Sequence, residues 1–233
     1  MSSAKRSKII RPDFPLPVVD PVQDRFARPL RDLRLSVIDR CNLRCDYCMP
    51  ADSLQGRGIF LPKPELLSDD ELVRLVRVFV RLGVHKLRLT GGEPLLRPGF
   101  SDLVARLAAV PGIDDLALTT NGILLPRHAR ALKAAGLGRI TVSLDSIDES
   151  TFGRMSGGKG SAAEVLAGIK AAEQAGFEQL KINTVVQRGV NDTEIESLIG
   201  FFRGTGHIVR LIEFMDVGNL NHWDRTQVVA SAD

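Results

Sequence analysis

The stretch Lys86-Leu87-Arg88-Leu89-Thr90-Gly91-Gly92-Glu93-Pro94 changes character in its middle. Its first five residues alternate polar and apolar side chains, the period of a β-strand with one buried face. Its last four cannot extend a strand, because paired glycines and a proline interrupt the ladder. Helical signals flank it. Upstream, Ser68 and Glu71 form a capping box ahead of Leu72, Leu75, Val76 and Phe79, which share one helical face, and Gly83 ends the run. Downstream, residues 100–110 carry a second helical period. Helix, strand and helix in succession are the unit of a parallel sheet, since parallel neighbours require a crossover connection.

The alternation repeats along the chain. Strands are read at 33–38, 86–90, 115–120, 139–144, 180–186 and 209–215. Further helices are read at 126–135, from the capping box Ser161/Glu164 to about Gly176, and from a third box at Thr193/Glu196. Such repetition predicts an α/β fold with a parallel sheet, open or curled. Polar groups gather where strands end: Thr90-Gly91-Gly92, Thr119-Thr120-Asn121-Gly122, Ser143 and Asp145. That placement favours a partial (β/α)6 TIM-like barrel with its site on the carboxyl edge.

With 233 residues, 44% hydrophobic, the chain suits one large domain or two small ones. No apolar run approaches the ~20 residues of a membrane span, and no secretory h-region precedes the first strand, so a cytoplasmic protein is expected. The net charge of +3 is unevenly placed. Residues 1–34 hold eight Lys or Arg against four Asp, a balance of +4; the other 23 basic and 24 acidic residues give −1. Five of the twelve prolines fall in residues 1–30, which predicts an irregular basic leader there, a barrel over 31–223 and a short tail over 224–233. A near-neutral folded part without aromatic-basic interleaving argues against a nucleic-acid partner.

All three cysteines, Cys41, Cys45 and Cys48, lie within eight residues just after the first strand. Such a loop can give one thiolate to each of three irons of a four-iron cube and leave the fourth iron open. A zinc ion completed by a distant histidine is the alternative the spacing leaves standing; otherwise His85, His128 and His207 read as surface or capping residues. The strand 86–90 places Lys86, Arg88 and Thr90 on one face and its leucines on the other. If the leucines meet helices, the cations face the barrel interior, where an anion must meet them. Arg34, Lys181 and Arg210 sit on other strands so as to join that group, which suits a polyphosphate or carboxylate.

The C-x3-C-x2-C spacing, with Tyr47 before its last cysteine and Gly91-Gly92-Glu93-Pro94 after the second strand, resembles the radical S-adenosylmethionine (SAM) superfamily. The longer stretches 33–50, 86–97, 119–122, 141–146, 181–192 and 210–218 resemble its GTP 3′,8-cyclase family of molybdenum cofactor biosynthesis. The resemblance implies a [4Fe-4S] cluster on Cys41, Cys45 and Cys48, and SAM against Tyr47, Gly92, Ser143 and Met215. It implies GTP against Arg34, Arg88, Thr119 and Lys181, with Lys86 and Arg210 as further contacts. The implied enzyme is a lyase: reductive cleavage of SAM gives methionine and a 5′-deoxyadenosyl radical, which takes the C3′ hydrogen of GTP before that carbon attacks guanine C8. A flavodoxin or ferredoxin as reductant, and a homodimer, are further expectations.

Members of that family continue past the point where this sequence ends and carry a second cysteine triad. The chain is therefore expected to be a shortened cyclase that loads one cluster and binds SAM but completes the cyclisation weakly, and to expose an apolar patch. The alternatives are another radical SAM enzyme, peptide- or tRNA-modifying, or a non-catalytic cluster-binding module.

Overall fold

Strands and helices alternate through the structure, a computed structural model describing residues 22–49, 60–216 and 223–232. Strand β1 (Asp32–Ser36) is followed by α1 (Asp69–Arg81), β2 (Lys86–Thr90), α2 (Phe100–Ala108), β3 (Asp115–Thr120), α3 (Leu125–Ala134) and β4 (Arg139–Ser143). Then come α4 (Glu149–Met155), α5 (Ala162–Gln174), β5 (Lys181–Val186), α6 (Ile195–Phe202) and β6 (Ile208–Glu213). All strand pairs are parallel and the order is β1-β2-β3-β4-β5-β6, with β1 and β6 at the edges. This is the α/β partial barrel the alternation predicts.

Period two decides what each face of the sheet meets. Leu35, Leu87, Leu89, Leu116, Leu118, Ile140, Val142 and Ile182 are buried against Leu72, Val76, Leu103, Leu107, Leu125, Leu132, Val165 and Ile169 of the helices. Burying each such side chain stabilises the fold by about 1.5–3 kcal/mol. The opposite face carries the polar residues and forms the barrel interior. The helices begin where their caps stand. Ser68 accepts the Glu71 N–H while the Glu71 carboxylate takes the Ser68 N–H, and Ser161 accepts the Glu164 N–H.

Two expectations are corrected and one helix is added. No capping box forms at Thr193: a 3-10 turn over Asp192–Glu194 precedes α6, and the Glu194 carboxylate instead accepts the hydroxyls of Ser146 and Thr151. Helix α4 went unread in Glu-Ser-Thr-Phe-Gly-Arg-Met because the segment is short and holds a glycine; Asp148 caps it by accepting the Thr151 N–H. His207 is not a surface residue. Its side chain is 2% exposed, Nε2 lies 3.0 Å from the Glu173 carboxylate, and the ring packs on Phe202.

Of the leader, residues 22–30 form a small turn closed by a Gln23–Pro29 bridge, with the Val22 N–H bound to the Leu82 carbonyl at the end of α1. Residues 1–21 and His222 lie outside the described residues. Residues 225–227 make a 3-10 turn, and Val228 bridges to Gln187 beside β5. Apolar side chains stand exposed around α6 and the β6 edge: Ile199, Phe201, Ile208, Leu211 and Met215.

Candidate active site

The cysteine loop leaves the carboxyl end of β1 and is held from two sides. Against β2, the Gly92 N–H donates to the Ile38 carbonyl (2.7 Å) and the Glu93 N–H to the Arg40 carbonyl (2.8 Å). These approaches need glycine: a Cβ on Gly92 would sit 2.3 Å from the Arg40 oxygen. Those two N–H groups are engaged within the fold and are not free for a ligand. On the other side, the Arg44 and Asp46 N–H groups donate to the Ser156 and Met155 carbonyls (3.0 and 3.3 Å) at the end of α4. The Arg44 guanidinium closes the loop on the Cys41 and Leu43 carbonyls, 2.7 Å from each.

Glu93 ties the loops together. Only 1% exposed, it accepts the Leu95 N–H (3.0 Å), the Thr120 hydroxyl (2.8 Å) and the Asn121 N–H (2.8 Å). Burial still raises its carboxyl above the ordinary range, the three donors opposing the rise. The Ile123 N–H fixes Asn121 Oδ1, so its Nδ2 is the donor facing Asn42 Oδ1 (2.7 Å) and Cys41 Sγ (3.9 Å). Sequence reasoning placed Glu93 and Asn121 at the site but gave them no role, since their partners lie 28 and 79 residues away in the chain.

Cys41, Cys45 and Cys48 are free of disulfides. Burial pushes all three thiols up, and Cys45 is raised further by the Asp145 carboxylate and by its two fellow cysteines. Cys41 and Cys45 are half-buried and Cys48 is exposed; clustered thiols of this kind shed their protons when a cation takes the charge. Zinc would draw three sulfurs to about 2.3 Å from one point, but among the described residues no three His, Cys, Asp or Glu side chains converge on a single-ion site. A cube takes one thiolate per iron and needs no convergence on one point, and three neighbouring free thiols on one loop fit it.

Behind the loop the interior face holds the cations. Arg34, Arg88, Ala117 and Arg139 occupy one row across four strands, and Thr119, Thr141 and Lys181 the next. Arg88 donates to the Thr119 and Thr141 hydroxyls (3.2 and 3.1 Å). Its proton is held less tightly than usual because of burial and then Arg139, Arg210 and Arg34; Lys181 is lowered by burial, Arg139, Arg210 and Arg88. Five cations thus feel one another. Arg139 was missed because it opens its strand, where a charge reads as solvated; Asp115 pairs with it, Nε to Oδ1 at 2.8 Å. Lys86 stands apart at the amino end, exposed between Asp32 and Asp115 in register. A hollow of about 170 Å³ lies against Asp32, Arg34, Lys86, Arg88, Asp115 and Arg139.

Ser143 ends β4 half-buried, beside Asn183 and then Arg210 in register. Asn183 Oδ1 is buried without a hydrogen-bond partner among the described residues, an acceptor that suits a ligand hydroxyl. Met215, two residues past β6, is exposed. Beyond Ser143, burial lifts the Asp145 carboxyl from 3.8 to about 6, against the Val185 N–H and Tyr47 hydroxyl that favour its charged form. A raised carboxyl stabilises the fold below its unfolded value and loses that contribution as pH climbs through the folded one. Compared with Asp145→Asn, the metal-free wild-type chain should therefore lose about 2 kcal/mol of stability between pH 4 and 6, the slope approaching about 1.4 kcal/mol per unit only in mid-range. Urea unfolding of both chains across that range measures it; parallel profiles would refute it.

No described helix is long and apolar enough to cross a membrane. The Radical SAM superfamily profile matches residues 35–202. The GTP 3′,8-cyclase of Xanthomonas axonopodis pv. citri is 60% identical over 212 residues, 91% of this chain and 63% of that protein. The GTP 3′,8-cyclase of Acidothermus cellulolyticus is 53% identical over 216 residues, 93% of this chain and 60% of that one. The chain thus spans less than two thirds of the length of these curated relatives. Among solved structures, SuiB of Streptococcus suis bound to S-adenosylmethionine superposes with a TM-score of 0.65 at 18% identity, over 82% of this chain and 42% of that one. TYW1 with a lysine-pyruvate adduct gives 0.63 at 16%, over 86% and 69%. With that profile covering most of the sequence and the cysteine and glycine motifs joined at one sheet edge, the chain belongs to the radical SAM superfamily, whose cofactors are a [4Fe-4S] cluster and S-adenosylmethionine.

Proposed function

We propose that this chain is the SAM-cleaving barrel of a GTP 3′,8-cyclase acting in molybdenum cofactor biosynthesis. The observation that carries the reading is the interior cation group, Arg34, Arg88, Arg139, Lys181 and Arg210, set behind the cysteine loop. Asp115 offsets part of this charge by pairing with Arg139, and the remaining excess of cations around half-buried Arg88 suits a polyphosphate better than a neutral substrate. Relatives bearing the cyclase name at 60% and 53% identity support the same substrate.

Cys41, Cys45 and Cys48 would hold the cluster, and Tyr47, Gly92, Ser143, Asn183 and Met215 would bind SAM. When bound and reduced, the pair supplies a 5′-deoxyadenosyl radical for hydrogen abstraction. The chain's own residues bind and orient. Arg88, steadied by Thr119 and Thr141, and Arg34, Lys181 and Arg210 would grip the phosphates and so fix the ribose relative to the strand ends. Holding reactants in one geometry removes much of the entropic barrier. Lys86, beside Asp32 and Asp115, would take an outer phosphate. We further propose a flavodoxin- or ferredoxin-type reductant, a homodimeric assembly, a cytoplasmic setting, and one barrel unit over 31–223 flanked by leader and tail.

Anaerobic reconstitution tests this. The expected result is about four irons per chain, 5′-deoxyadenosine release on reduction with SAM, and GTP binding that weakens steeply with salt. Cluster loading and SAM cleavage with no GTP binding would overturn the substrate assignment and leave another radical SAM activity in its place.

A further inference from the structure

Tyr47, the chain's only tyrosine, sits between the second and third cysteines. Its hydroxyl donates to Asp145 Oδ2 at 2.7 Å, bridging 98 residues of sequence. The other carboxylate oxygen, Oδ1, accepts the Val185 N–H from β5 at 2.9 Å. Asp145 is itself fixed: Asn191, fully buried, donates from Nδ2 to the Asp145 carbonyl (2.7 Å) and to the Val185 carbonyl (2.9 Å) and accepts the Gln187 N–H at Oδ1 (2.8 Å). The loop aromatic is thereby tied to two strand ends through one side chain.

We propose that Asp145 is a positioning residue for the cysteine loop, holding the Tyr47 ring in the orientation in which SAM meets it. The proposal rests on the reading that the loop carries the cluster and that SAM lies beside Tyr47. The chemistry of the position supports it. Two donors from different elements converge on one group, and only a carboxylate has an acceptor oxygen for each; an amide has one and must turn an N–H₂ toward the second donor. Both donors are partly buried and costly to leave unmatched, so a carboxylate holds the pair more tightly than an amide can.

The test compares wild type, Tyr47→Phe, Asp145→Asn and the double variant as reconstituted holoenzymes, reading SAM affinity from the change SAM causes in the electron paramagnetic resonance of the reduced cluster. Each single change is expected to weaken SAM about tenfold, with iron content little altered. The double variant is expected to lose about tenfold, because both changes break the same link. A general structural role for Asp145 would lower iron loading and multiply with Tyr47→Phe to about a hundredfold; that result, or a Tyr47→Phe affinity within twofold of wild type, overturns the proposal. Tyr47→Phe removes a single oxygen and keeps the test usable should Asp145→Asn fold poorly. In the metal-free chain, ¹³C-tyrosine labelling gives one ring signal, and its hydroxyl proton should be exchange-protected in wild type and unprotected in Asp145→Asn. That measurement decides the link even if the wild type takes up no cluster, an outcome that would instead refute the proposed function.

Discussion

Replacing Arg88 with methionine is expected to make the ligand-free chain more stable while its hold on GTP falls about a hundredfold. The two effects share one cause. Arg88 is half-buried, shares a sheet row with Arg34 and Arg139, and is also pushed toward its neutral form by Arg210. Methionine keeps most of the side-chain volume and removes one charge from the group, leaving the Thr119 and Thr141 hydroxyls free to rotate to other partners. A gain of about 1 kcal/mol would raise the melting temperature by about 2–4 °C in a chain of this size. Once a triphosphate is present the sign reverses. Truncating one member of a desolvated charge pair costs about 2–5 kcal/mol, and a hundredfold loss in Kd is about 2.7 kcal/mol. Thermal unfolding with and without GTP, plus calorimetric titration at two salt concentrations, reads both halves. A variant less stable than wild type yet equally tight for GTP would show that Arg88 is scaffold and the phosphates lie elsewhere.

The second large effect concerns glycines that the motif reading did not reach. Gly157→Ala is expected to unseat the cysteine loop, cutting reconstituted iron by more than half, whereas Gly158→Ala is expected to load normally. The neighbours have nearly the same backbone, with φ of +67° and +69°. Alanine in that region costs about 1–2 kcal/mol at either position. They differ in surroundings: a Cβ on Gly157 would lie 2.1 Å from the Arg44 carbonyl oxygen, and one on Gly158 would meet nothing within 4 Å. Arg44 stands between Cys41 and Cys45, and its N–H already binds Ser156, so the clash moves the thiols themselves. Iron and sulfide analysis after anaerobic loading, with thermal melts of the metal-free chains, separates backbone strain from the clash. Equal losses in both variants would assign the effect to strain alone.

The alternation in Lys86–Thr90 and its counterparts was enough to place six strands within two residues at each end, because a sheet lined by helices on one face and a polar interior on the other imposes period two everywhere. The same rule put Lys86, Arg88 and Thr90 on one face, with Arg34, Lys181 and Arg210 placed to join them from other strands. What it could not supply was pairing across the fold. That Asp115 would engage Arg139, that Glu93 would bind the end of β3, or that Asp145 would reach Tyr47 depends on strand order and stagger, which no local pattern encodes. Thr193 shows the opposite failure: a good capping sequence was overridden when Glu194 found Ser146 and Thr151, tertiary hydroxyls that the local pattern does not reveal. Gly157 belongs with these, since its need for a bare Cα comes from a loop more than a hundred residues earlier.

The row of like charges across β1, β2 and β4 also bears on how any ligand arrives. Cations gathered on one wall raise the local concentration of small counter-ions, so chloride and inorganic phosphate are expected to compete with a nucleotide there. Entry is then an exchange of anions, and the apparent affinity for a phosphorylated ligand will depend on the buffer chosen, being weaker in phosphate than in an acetate solution of equal ionic strength.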